Sequence, residues 1–259
     1  MHAGLSVLLA ALDAAPAPTR FFLRDDDAGW EHTRLLALLD HTERAEVPID
    51  LAMIPKAADA ALAFTLCVRM NAAPGLVGVH QHGWAHTNHE SAQRKCEFGT
   101  ARDADAQRRD LREGRTHLLG LFGAQLDPIF TPPWNRCSAA TPPLLAELGF
   151  AALSRSRGAA TQHALPELPI DVDWCKQRRR AALEGTDGLG HIAHELARCV
   201  SAGGPVGLML HHAEMDAADL ALLDRLLAAT HHHPRVCWLP MRALLPSAVG
   251  APASLQSPS

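Results

Sequence analysis

The sequence contains no tyrosine and few aromatic residues of any kind, 5% of the chain. It has no surplus of positive charge: 24 lysines and arginines stand against 28 aspartates and glutamates, a formal net charge of −4. Nucleic-acid-binding domains ordinarily carry a basic excess, so that class has no support. No run of uncharged apolar residues is long enough for an ordinary membrane-spanning helix. The six cysteines, at 67, 96, 137, 175, 199 and 237, include no Cys-x-x-Cys pair, which leaves a zinc ribbon or a thioredoxin-type site unsupported. They are also too few for a disulfide framework in 259 residues, and reduced thiols in a cytoplasmic protein are the simplest reading. A glycine-rich turn after the first apolar segment, the usual mark of an open dinucleotide-binding sheet, is missing as well.

Histidine, in contrast, is abundant, with 16 residues in a chain that is 47% apolar and 20% charged. That composition is globular. The N-terminus superficially resembles a signal peptide, because Leu5, Leu8, Leu9 and Leu12 precede Ala14-Ala15. No lysine or arginine stands before that run, however, and Asp13 occupies the place where cleavage would fall. The leucines recur at i, i+3, i+4 and i+7, which predicts a packed amphipathic helix within 1–19. A single domain over 20–245 and a loose tail over 246–259, rich in Ala, Ser and Pro, complete the expected organisation.

Between these ends, short apolar segments alternate with helix-patterned ones. Strands are expected at 21–23, 48–54, 76–79, 128–130, 151–154, 168–172, 206–210 and 236–239. Helices are expected at 32–45, 57–70, 103–122, 142–148, near 189–201 and at 217–229. The basic run Arg178-Arg179-Arg180 reads as a solvated loop, with a phosphate site as its sharper alternative. Strands alternating with helices imply a parallel sheet with helical crossovers. Seven or eight such units favour an α/β barrel over an open sheet.

In such folds ligands bind at the carboxyl ends of the strands, and the polar clusters fall there repeatedly. Phe21-Phe22-Leu23 runs into Arg24-Asp25-Asp26-Asp27. Val77-Gly78-Val79 runs into His80-Gln81-His82-Gly83-Trp84-Ala85-His86. Ile129-Phe130 precedes Thr131-Pro132-Pro133-Trp134-Asn135-Arg136. Pro169-Ile170 leads to Asp171-Val172-Asp173-Trp174, and Leu208-Met209-Leu210 leads to His211-His212. One carboxylate and two imidazoles can hold a divalent transition metal while leaving positions open for water and substrate. His82 and His86, four apart, can face one side of a helical turn. Of two adjacent aspartates, one can bind metal while the other takes a proton from water, and a histidine across the site can protonate the leaving group.

These five clusters, in this order over residues 24–211, resemble the motifs of the polysaccharide deacetylase family, also called the NodB-homology or carbohydrate esterase 4 fold, as an outlying branch. The Asp-Asp motif looks like Arg24-Asp25-Asp26-Asp27, and the His-x-x-x-His motif like His82-Gly83-Trp84-Ala85-His86. The Pro-Pro-aromatic motif looks like Pro132-Pro133-Trp134, the Asp-Trp pair like Asp173-Trp174, and the strand ending in histidine like Leu208-Met209-Leu210-His211. The resemblance implies a distorted (β/α)7-8 barrel and a metal-dependent hydrolase of non-peptide amide bonds. Its substrate would carry an N-acetyl or O-acetyl group on a sugar, sugar nucleotide or glycan precursor. Another amide hydrolase on the same scaffold, or an inactive sugar-binding relative, is the alternative.

Carried over residue by residue, the resemblance makes Asp27, His82 and His86 the ligands of a divalent metal ion, zinc by default, with cobalt, nickel or manganese as alternatives. Asp26 becomes the general base and His211 the general acid, with Asp173 orienting His211. The backbone N–H of Trp134, beside Pro133, would stabilise the oxyanion, and Trp174 would wall the acetyl pocket. Three departures leave choices open. The triple aspartate permits Asp25-Asp26 as the working pair. Thr131 stands where the family has an arginine that steers the base, and Arg24 or Arg136 could supply that charge instead. His212 rivals His211.

Overall fold

Residues of a strand point alternately to its two faces, and β1 (Thr19–Ala28) shows what this alternation does here. Phe21 and Leu23 join the large cluster of apolar side chains under the helices, whereas Phe22 joins a separate cluster inside the sheet's curl. The computed structural model describes residues 3–92, 94–158 and 165–246.

Seven further strands follow: β2 (Ile49–Met53), β3 (Val77–His82), β4 (Leu126–Thr131), β5 (Ala152–Leu153), β6 (Val172–Asp173), β7 (Val206–Leu210) and β8 (Val236–Trp238). They form one sheet in the order β5-β4-β3-β2-β1-β7-β6, with β8 beside the start of β1. Every strand pair is parallel. Between β5 and β6 the curl is completed by single bridges, Leu153 to Glu167 and Ser156 to Ile170. The expected strand 168–172 is thus mostly a bridging segment, regular only at Val172 and Asp173. The result is a distorted α/β barrel, as the sequence pattern implied.

Crossovers are supplied by α2 (His32–Arg44), α3 (Ala60–Ala72), α4 (Ala104–Phe122), α5 (Thr141–Glu147), α6 (Trp174–Glu184), α7 (Gly188–Ala202) and α8 (Ala217–Thr230). An N-terminal helix, α1 (Ser6–Asp13), packs on α7 and buries Leu8 and Leu12. The expected tail over 246–259 lies outside the described residues except at 246.

Helix α6 corrects the sequence reading of a loop at 178–180. Its interior contributes only Trp174, Cys175 and Ala181 to the core, so the apolar stripe is faint. Its ends carry the signals instead: Asp173 accepts from the Lys176 N–H at the start, and Gly185 adopts the left-handed conformation at the end. The three arginines all meet carboxylates: Arg178 meets Asp219, Arg179 meets Glu214 and Arg180 meets Glu184. Each arginine of the run thus has a carboxylate partner on its own or a neighbouring element.

The amino end of the barrel is stoppered. The Met241 N–H donates to Asp50 Oδ2 at 2.8 Å, and Arg242 pairs with Asp127. Burial pushes the Asp50 carboxyl up to about 8.

Candidate active site

At the carboxyl end of β1 the alternation of faces sorts the polar residues. Arg24 and Asp26 point inward, and Asp25 points to the opposite face. The register against β2 then slips between Asp25 and Ala28, and Asp27 takes a positive φ of 67°. Aspartate tolerates that conformation better than most residues, and a bulge of this kind re-aims a side chain next to a site. The bulge turns Asp27 toward the end of β3.

There, His82 closes β3 and His86 follows in an irregular loop with φ 55°. The expected helical turn for this pair is absent; a strand end and a loop bring the two rings together, their centroids 5.2 Å apart. Asp27 Oδ1 lies 3.1 Å from His82 Nε2 and 3.1 Å from His86 Nε2. Burial alone would raise the Asp27 carboxyl, but hydrogen bonding to His82 and His86 holds it well below the ordinary carboxylate range. Among the described residues this is the one group of three metal-ligating side chains that converges.

The donor set fits a divalent cation. Tetrahedral coordination at normal zinc distances would separate donor atoms by roughly 3.3 Å, close to the spacing of Asp27 from each imidazole. His82 Nδ1 donates to the Thr131 carbonyl at 3.0 Å, which fixes the ring and leaves Nε2 as the ligating atom.

The His86 loop is shaped by a residue that the sequence reading did not single out. Glu97 is fully buried and accepts the backbone N–H groups of Trp84, Ala85 and Thr87 at 3.1, 2.8 and 3.3 Å. Nothing in the sequence marks it, because its partners are main-chain atoms 10 to 13 residues earlier.

Arg24, not Arg136, holds Asp26. Its Nε and Nη2 donate to the two carboxylate oxygens at 2.7 and 2.9 Å. Ser154 Oγ and Asn135 Oδ1 accept from the same guanidinium at 2.7 and 2.6 Å. Burial opposes ionisation of Asp26, but Arg24, aided by His82 and His211, keeps its carboxyl low. Thr131, at the arginine's usual place, bonds His80 Nε2 through its hydroxyl at 2.8 Å. Arg136 instead reaches the Lys95 carbonyl.

The paired histidines after β7 separate cleanly. His212 is buried on the outer side: its N–H and Nδ1 donate to Asp25 at 2.9 and 2.6 Å, and its Nε2 donates to the Trp30 carbonyl at 2.9 Å. This corrects both rival assignments, since Asp25 and His212 bind each other and face away from Asp26. His211 stays on the inner side, near enough to Asp26 to favour its charge, and its buried Nδ1 has no partner.

Two expected roles fail on geometry. Trp174 is wholly buried in the helix-side core and donates to Asp219 at 3.1 Å, so it walls no pocket. Asp173 caps α6, and no hydrogen bond joins it to His211. Trp134, in contrast, lies at the mouth: it follows buried Pro133, adopts φ 55°, and its indole stands 4.4 Å from the His86 ring. No helix among the described residues is long and apolar enough to cross a membrane.

No protein-family model and no curated protein matches the sequence. Solved structures do match the fold. A candidate polysaccharide deacetylase from Mycobacterium smegmatis aligns at 15% identity over 88% of this chain and 89% of its own, with a TM-score of 0.58. A family 4 acetyl xylan esterase from Clostridium thermocellum, solved with a cobalt ion, aligns at 14% identity over 87% and 90%, TM-score 0.53. A family 4 carbohydrate esterase pseudoenzyme from Bacillus anthracis aligns at 14% identity over 83% and 61%, TM-score 0.56. The chain thus has the fold of the family 4 carbohydrate esterases and polysaccharide deacetylases, at identities where the fold is what is held in common.

Proposed function

We propose that this protein is a metal-dependent deacetylase that hydrolyses the acetyl group of an acetylated amino sugar or related small molecule. The observation that carries the reading is the convergence of Asp27, His82 and His86 beside a separate carboxylate, Asp26, kept ionised by Arg24. A pure binding site has no need of that second carboxylate. A divalent cation, zinc by donor chemistry, would polarise the acetyl carbonyl and acidify a water there.

The side chains divide the remaining work. Asp26 takes the proton from the attacking water. Arg24, Asn135 and Ser154 keep its carboxylate aimed into the site. His211 hands a proton to the departing amine, which cannot leave as an anion. The N–H of Trp134 donates to the carbonyl oxygen as negative charge gathers on it.

The test is acetate release by metal-loaded protein from acetylated amino sugars, their oligomers and nucleotide conjugates, and acetylated xylan. Removing the metal with a chelator should abolish release. Asp26→Asn should lower kcat by about 100-fold or more with metal content unchanged by elemental analysis. Stoichiometric metal without acetate release from any of these would overturn the reading in favour of an inactive relative.

A further inference from the structure

Trp30 is the large apolar side chain that stands out on the catalytic face. Of the described large hydrophobics that are exposed, Phe64, Val68, Leu119 and Leu183 lie on outer helices. Trp30 lies just past β1, at the same strand end as Asp26 and Asp27, with 41% of its surface open. Its ring meets the His86 imidazole edge-on, centroids 5.1 Å apart and planes at 71°. Trp134 contacts the same imidazole at 4.4 Å. An indole 41% open to water beside a metal-ligand ring presents an apolar face to the site.

Both of its backbone polar groups are hydrogen-bonded. The Trp30 N–H donates to the Asp27 carbonyl at 3.2 Å. Its own carbonyl accepts from His212 Nε2 at 2.9 Å, and His212 is clamped by two hydrogen bonds to Asp25, both side chains being fully buried. Gly29, the residue before it, has φ 111°, and a Cβ there would lie 3.0 Å from the Cβ of Ala57. Glycine is therefore required for the turn that presents Trp30. The deacetylation steps use neither Asp25 nor His212, and the pair's outermost contact is the Trp30 carbonyl.

We propose that Trp30 is a specificity-determining residue on which the pyranose ring of the substrate stacks, posed by the Asp25–His212 pair acting as a strut. This names the substrate class for the deacetylase site and rests on that reading. An indole face matches the C–H face of a pyranose in shape and polarity. Fixing it beforehand removes the ordering cost at binding. An acyclic acetamide offers no such face and gains little from it.

The experiment compares wild type with Trp30→Ala, Trp30→Phe and His212→Gln, each checked for metal content. Two probes are used, N-acetylglucosamine oligomers and acyclic N-ethylacetamide. Trp30→Ala should lower the ratio of kcat/KM for sugar over acyclic amide by about tenfold or more, mainly through KM, with Trp30→Phe recovering much of it. His212→Gln should shift the ratio the same way by a smaller factor. In protein labelled with 5-fluorotryptophan it should also broaden the Trp30 19F resonance, which a merely stabilising role would not do. Sugar binding is measured separately by calorimetry on metal-loaded Asp26→Asn protein, with and without Trp30, so a failure of the deacetylase reading is seen apart from a failure of this one. Sugar that binds equally well without the indole, or does not bind at all, overturns the proposal whether or not acetate is released.

Discussion

Arg24 and Asp26 sit two residues apart on one strand and close an ion pair through both carboxylate oxygens, at 2.7 and 2.9 Å, with both side chains buried. The period of two makes this possible, because i and i+2 share a face. The base and the cation that steers it therefore come from the same strand. The strand that would otherwise supply the arginine offers Thr131, which bonds His80.

Removing the guanidinium should cost both stability and activity. Breaking one side of a buried pair strands the other charge, typically at about 3–5 kcal/mol. Arg24→Gln should lower the denaturant midpoint accordingly and reduce kcat by about 10–100-fold, since a neutral Asp26 takes no proton. Arg24→Lys should rescue only part, because an ammonium cannot make the two-pronged contact. Kinetics on metal-replete protein check this, and normal turnover by Arg24→Gln would remove Arg24 from the account.

The Asp25–His212 pair gives the fold a pH dependence of definite sign. Burial alone would lower the His212 imidazole, but Asp25 overcomes it and pushes it up to about 9 from 6.5. The folded state thus holds a proton that the unfolded chain releases. The stabilisation is fully present below pH 6.5, declines as pH rises through about 9 and is gone above it. A shift of this size corresponds to something on the order of 3 kcal/mol. Unfolding midpoints should fall from pH 6 to 10 in wild type, and the fall should flatten in Asp25→Asn/His212→Gln, which removes both charges together. An unchanged slope in that double variant would contradict the assignment.

Glu97 should matter to the metal more than to the barrel. It is bonded to the loop that carries His86, not to a ligand side chain. Glu97→Gln keeps the shape but removes the charge and puts an NH2 donor where one oxygen accepts a backbone N–H, so at least one of the three hydrogen bonds is lost and the rest are weakened. Metal affinity, read by competition with a chelator, should fall by about 10–100-fold, the usual effect of a group that orients ligands. The thermal midpoint should move by only a few degrees. Equal affinity in the variant would mean that the loop holds its own shape.

The contrast between what could be read and what could not follows from where information lies in a chain. The barrel was legible because apolar segments of strand length alternate with helical stripes. The gathering of an aspartate from the end of β1 with His82 and His86 was legible because parallel strands bring their carboxyl ends to one face. Choosing among Asp25, Asp26 and Asp27 was not, because the bulge that re-aims Asp27 breaks the alternation from which facing is read. His212 could not be told from His211 without its partner, Asp25, which lies 187 positions away. Helix α6 and Trp174 were misread for a related reason. The helix has few core residues, and an Asp-Trp after a strand looks the same whether its indole faces a cavity or the core.

Gly83 tests the loop geometry most sharply. It has φ 56°, and an added Cβ would collide with the Glu97 carboxylate and come within 2.5 and 2.6 Å of the Pro133 ring. Three parts of the site meet at that point: the loop between the histidines, the residue that clamps it, and the segment that carries Trp134. Gly83→Ala therefore imposes a strained backbone and pushes those parts asunder together, because the Pro133 ring cannot swing aside and the Glu97 carboxylate is tied to three backbone N–H groups. The large helix-side core does not include this region. The variant should keep its far-UV circular dichroism and most of its cooperativity while binding metal at least about tenfold more weakly. Elemental analysis after gel filtration checks it, and a fully metallated, fully active Gly83→Ala protein would show that the His82–His86 loop adopts another path.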